Sequence, residues 1–177
     1  MALVLRKIKR NRWYNKRFQW LNGDEIAADP LGDLYTDEGK LSVWLVDDDK
    51  SNLNEALVAI ACCCQQPSNI DYVLFKDSVL SQLGIQVEEC PRDTPFTRVK
   101  ELHRDLTELS ANKLVELAKA ILTGESQFGR LPEKDAGRLL AQTISRGLLD
   151  RTALNRCWQS KVAEIERELS IRPSGAI

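Results

Sequence analysis

Hydrophobic and polar positions change period several times along this chain. Leu3, Leu5 and Lys7 alternate with Val4, Arg6 and Ile8, the two-residue period of a strand. Its basic side chains suit an edge strand, where cations discourage pairing with other chains. The alternation returns at Leu41, Val43 and Leu45, and Trp44 and Val46 make the opposite side apolar too. A strand with two apolar faces needs cover on both. Leu53, Leu57, Ile60 and Cys64 follow at helical spacing, with Ala56, Ala59 and Ala61 small enough for close packing on a sheet. Ser51 or Asn52 can cap that helix, which stops before Pro67. Tyr72–Phe75 reads as a strand, Asp77 or Ser78 as the cap of a short helix closed by Gly84, and Ile85–Val87 as extended chain. Period alone leaves a second reading open, one continuous helix through Ile70, Val73, Leu74, Leu80 and Leu83.

Cys90, Pro91 and Pro95 mark a break, after which helical spacing dominates. Val99, Leu102, Leu106 and Leu109 share one helical face, with His103 at its edge. Ser110 caps a helix over Ala111–Leu122 that Gly124 stops, and residues 123–130 read as loop. Pro132 opens a helix ending near Gly147, and Asp150 caps a last one carrying Leu154, Trp158, Val162, Ile165 and Leu169. The expected class is α+β (or α/β). A small sheet-containing half, residues 1–92, packs on a mainly helical half, residues 93–172, with 173–177 as a frayed tail.

Composition narrows the picture by exclusion. With 43% apolar residues the 177-residue chain can build a sizeable core, and a net charge of -1 gives no overall pull toward nucleic acid or membrane. No window approaches the ~18 uninterrupted apolar residues of a membrane span. The basic Arg6–Arg17 stretch reverses the order of a secretory signal. Of the five cysteines three are adjacent (Cys62, Cys63, Cys64), and no zinc-ligand spacing appears. Reduced thiols in a cytoplasmic protein are therefore expected. Glycine-rich nucleotide loops, hydrolase elbows and repeats are absent as well.

Charge does change the picture locally. Residues 1–20 hold seven basic and no acidic residues, with Trp13, Tyr14, Phe18 and Trp20 among them, whereas residues 24–55 are strongly acidic. If the two segments lie side by side, much of the basic field cancels internally. Tryptophan, tyrosine and arginine are also the residues that most often anchor interfaces. The expected function is therefore a non-enzymatic interaction protein or accessory subunit. It contacts a protein partner through Arg10, Arg12, Trp13, Tyr14, Lys16 and Arg17, together with the loop around Leu31–Tyr35. One alternative is nucleic-acid binding by the same arm, with cations on phosphates and rings on bases. The second alternative is an enzyme using Asp47, Asp49 and a metal, or pairing Cys90 or another thiol with the only histidine, His103. No cofactor and no catalytic residue is assigned from sequence. The helix pair 132–145 and 150–169 is read as an ordinary hairpin in preference to a DNA-reading helix-turn-helix, since Glu164, Glu166 and Glu168 repel phosphate.

Overall fold

A computed structural model of the chain describes residues 2–13, 25–91 and 94–171, apart from the side chains of Ser170 and Ile171. Six strands form one sheet: β1 (Ala2–Ile8), β2 (Leu41–Asp47), β3 (Ile70–Lys76), β4 (Gln86–Glu89), β5 (His103–Thr107) and β6 (Gln127–Leu131). The spatial order is β4-β5-β2-β1-β3-β6, with every neighbouring pair antiparallel. The class is α+β. The strand–helix–strand rhythm of residues 41–89 has its own explanation in this order. β2, β3 and β4 all run in one direction, as an α/β unit would have them. β1 and β5, running the other way, separate them.

β1 is thus a central strand, correcting the edge reading. Val4 and Leu5 are completely buried, one on each side, and two apolar sides place a strand inside a sheet. Residues 70–83 resolve as strand plus short helix, with α3 at Ser78–Gln82 and Gly84 at a positive φ of 61°. Two further corrections fall beyond residue 92. Residues 99–109 form a 3-10 turn (Thr97–Leu102) and then β5, and residues 127–130 of the expected loop belong to β6. β5 has two sides of different chemistry: Leu106 faces an apolar cluster, while His103, Asp105 and Thr107 face away from it. That alternation has period two, and four apolar residues at helical spacing masked it.

Both sides of the sheet are covered. On one, Leu3, Leu5, Trp44, Val46 and Leu74 meet α2 (Leu53–Cys62), α5 (Glu133–Ser145) and α6 (Arg156–Ile171). Trp158, fully buried, anchors α6 there. On the other, Val4, Val43, Val73, Phe75 and Leu106 meet α3, α4 (Ala111–Thr123) and the 3-10 turn Asp29–Gly32 with the loop around it. α5 and α6 form the expected hairpin over Leu140, Leu154 and Trp158. Arg151 pairs with Glu166 and Lys161 with Glu133, so two cations that a DNA-reading helix would present are held within the hairpin.

The caps divide. Ser110 Oγ accepts from the Lys113 N–H at 3.2 Å, as expected. Asp150 caps a 3-10 turn (Arg151–Ala153) instead of α6, whose first turn is held by Asn155 Oδ1 accepting from the Trp158 N–H at 3.0 Å. Asn52 makes no side-chain cap on α2; its amide oxygen accepts from the Asp47 N–H at 2.9 Å. Among the described residues no helix is long and apolar enough to cross a membrane.

Candidate functional site

The aromatic-basic segment breaks from β1 at Lys9 into the single turn α1 (Arg10–Trp13). The acidic loop supplies what holds it. Asp33, 8% exposed, accepts from the Lys9 N–H at 2.7 Å, from Arg12 Nη1 at 2.9 Å and from Trp13 Nε1 at 2.9 Å. Its backbone carbonyl accepts twice from the Arg6 guanidinium, whose third bond reaches the Ser42 carbonyl at 2.7 Å. Gly32 makes room for this network: a Cβ there would stand 2.8 Å from Arg12 Nη1. A buried carboxylate is stable only when paired and bonded in this way.

The predicted contact residues therefore separate. Trp13 is 3% exposed and packs on Phe128 at a centroid distance of 5.9 Å, so it cannot anchor a partner on a free surface. That part of the sequence reading is corrected: the buried carboxylate captures the indole N–H, and the ring fills the core. Arg12 is half-buried on the same carboxylate. Arg10 is exposed, and its backbone N–H donates to Asp71 at 3.3 Å. Tyr14, Lys16 and Arg17 lie outside the described residues.

What remains on the outside is a groove of about 370 Å3 at the carboxyl end of β1. Arg6, Lys7, Lys9, Arg12 and Tyr35 line it, with Asp33 in its floor. Arg12 bonds the Asp33 carboxylate and Arg6 its backbone carbonyl, while the Lys7 side chain turns to Cys64 on the opposite side of the sheet, which leaves Lys9 as the exposed cation of the groove. Tyr35 is 75% exposed, more than the other large hydrophobic residues left on the described surface. The loop Leu31–Tyr35 and the basic segment therefore meet, as the charge pattern implied.

A second polar site lies on the side of the sheet that carries Trp44, near the β4 edge. In the antiparallel register Glu88, Asp105 and Ser42 form one cross-strand row, and His103 stands beside Trp44 in the next. Continuing the register brings Cys90 to His103, whose Nδ1 lies 2.6 Å from the Cys90 carbonyl oxygen. The donor atoms of Cys90, His103 and Asp105 lie within 4.8 Å of one another. From the sequence, Cys90 or another thiol would have to reach His103 in space, and the helical assignment hid the strand pairing that brings Cys90 there. The acidic run Asp47–Asp49 belongs to a turn: Asp47 Oδ2 accepts from Ser51 Oγ at 2.9 Å and Asp49 Oδ1 from the Ser51 N–H at 2.9 Å. The Ser51 N–H first, and then the Ser51 side chain, hold the Asp49 carboxyl below its usual range.

Compared with protein-family models, curated proteins and solved structures, the chain matches none.

Proposed function

We propose that the protein is a non-enzymatic interaction module whose groove at the end of β1 receives an acidic segment of a protein partner. The observation that carries this reading is the exposed ring of Tyr35 set in one concave surface with the exposed Lys9, beside the internally paired Arg6 and Arg12. An exposed aromatic next to cations is the composition of an interface anchor with a steering charge around it.

Nucleic acid is the second reading, and the groove supports it less well. A polyphosphate chain is held by a track of cations whose charge is available to successive phosphates. Here Arg6 is spent on two backbone carbonyls, Arg12 on Asp33, and Lys7 Nζ donates to Cys64 Sγ at 3.1 Å. The exposed charges of Lys9 and Arg10 suit a short acidic segment better than a backbone track.

The test places a photo-reactive side chain at position 35 of the full chain in its native host. The expected result is one discrete protein adduct, lost in the double variant Lys9→Glu and Arg10→Glu while the melting temperature is unchanged. A nucleic-acid adduct in its place moves the groove to the second reading. Absence of any adduct, or an adduct indifferent to the charge reversal, removes the interaction reading from this surface.

A further inference from the structure

We infer that Cys90, His103 and Asp105 form a mononuclear site for a divalent ion of the zinc type, independent of the groove at the end of β1. The donors are one sulfur, one imidazole nitrogen and one carboxylate oxygen, a mixed set that suits a borderline-soft ion. His103 and Asp105 are 3% and 7% exposed, and Cys90 is half-buried, so the site is walled on the protein side and open at Cys90. Ligand atoms around a tetrahedral zinc stand roughly 3.3–3.7 Å apart, as its ~2.0–2.3 Å bonds require. The donor atoms of the three residues here lie within 4.8 Å of one another.

Three supporting contacts prepare the donors. The Cys90 carbonyl can only accept, so the proton of the His103 ring sits on Nδ1, and Nε2 carries the lone pair that can bind a metal. Trp44 holds the ring edge-on at a centroid distance of 5.1 Å. Ser42 Oγ donates to Asp105 Oδ1 at 3.2 Å, fixing one carboxylate oxygen and leaving the other. Such outer contacts are what orient metal ligands.

The charge arrangement points the same way. Glu88 and Asp105 are directly opposite on β4 and β5, where like charges repel. Lys40 Nζ lies 3.7 Å from Glu88 on the solvent side, and Thr107 Oγ1 donates to the same carboxylate. Asp105, inside, faces the cysteine and histidine instead. An ion there relieves the repulsion and ties the end of the four-residue strand β4 to β5. Binding converts the Cys90 thiol to thiolate and releases its proton to solvent. The three ligands leave a fourth position for water.

Cobalt and zinc test the site on the full, chelator-stripped chain under reduction. Cobalt should bind at one equivalent with a thiolate charge-transfer band and the visible bands of a four-coordinate ion. Zinc should displace it and raise the melting temperature by several degrees. Both responses should vanish in Cys90→Ser and survive in Cys63→Ser, which controls for the neighbouring thiols Cys62 and Cys64. Because His103 is buried, the near-isosteric Asp105→Asn is the second probe. Its circular dichroism should be native and its metal affinity roughly tenfold or more below the parent. A cobalt spectrum retained in Cys90→Ser, affinity unchanged in Asp105→Asn, or no binding at micromolar metal overturns the site.

Discussion

Two aspartates are buried to nearly the same depth, Asp33 at 8% and Asp105 at 7% exposure, and their surroundings are opposite. Asp33 is closed by its own chain: a backbone N–H, a guanidinium and an indole N–H converge on its two oxygens. Asp105 accepts from one hydroxyl and looks across its strand pair at another carboxylate. A buried charge with a full set of internal donors is a fastener. A buried charge among a thiol, an imidazole and a second carboxylate is a ligand. Depth of burial does not distinguish the two roles, and the identity of the neighbours does.

Truncating each carboxylate separates them with the largest effect. Asp33→Ala leaves a guanidinium and two N–H groups without their acceptor, and should cost about 3 kcal/mol of unfolding free energy. In the metal-free chain Asp105→Asn removes the repulsion with Glu88, so its stability should equal the parent's or exceed it by up to ~1 kcal/mol. Urea titration followed by tryptophan fluorescence measures both. If Asp105→Asn weakens the fold as much as Asp33→Ala does, Asp105 is a fastener too and the contrast collapses.

This contrast also marks what the sequence could tell. The opposite charges of residues 1–20 and 24–55 were legible, and they made a meeting of the two segments a possibility that the bonds to Asp33 realise. That Trp13 would point inward was not, because an indole in a basic run looks the same whether or not a carboxylate lies beneath it. β2, β3 and the covering helices followed from period, while the central place of β1 did not, because its basic residues read as an edge. β5 did not: Val99, Leu102, Leu106 and Leu109 repeat at helical spacing across a 3-10 turn, a strand and a bend. Losing β5 also lost the site, since the Cys90–His103 approach exists only in the β4–β5 register.

A smaller effect is expected at a carboxylate that is 14% exposed and held by a half-exposed arginine. Arg130 grips Asp71 with two bonds, at 2.6 and 3.1 Å, and the Arg10 N–H adds a third. The guanidinium bond first, then that backbone bond, hold the Asp71 carboxyl below its usual 3.8. A carboxylate with a depressed folded value stabilises above its unfolded value, and the contribution fades as pH falls through the folded one. Because Arg130 is 45% exposed, solvent screening limits the pair. Arg130→Gln should lose ~0.5–1 kcal/mol at pH 7, with the difference from the parent narrowing below pH 4. A difference constant across that range means the arginine acts through packing alone.

The same distinction between inward and outward groups operates within a single type of side chain, where stability is untouched and reactivity reports it. Cys62 is buried in the last turn of α2, and that burial, with the adjacent Cys63 thiol, pushes it up to about 12. Cys63, the next residue, is exposed, as is Cys157. At pH 8 only the thiolate reacts, so Cys62 should alkylate about a thousandfold more slowly than an ordinary exposed thiol. Peptide mapping after iodoacetamide should find Cys63 and Cys157 modified early and Cys62 spared. Cys90, half-buried at the mouth of the second site, should react in the metal-free chain and be protected by zinc, with Cys63 and Cys157 unchanged by the metal. Protection at Cys63 instead would mean that the ion is drawn to the run of adjacent thiols. It would also mean that Asp105 keeps its place in the sheet edge for another reason than a ligand's.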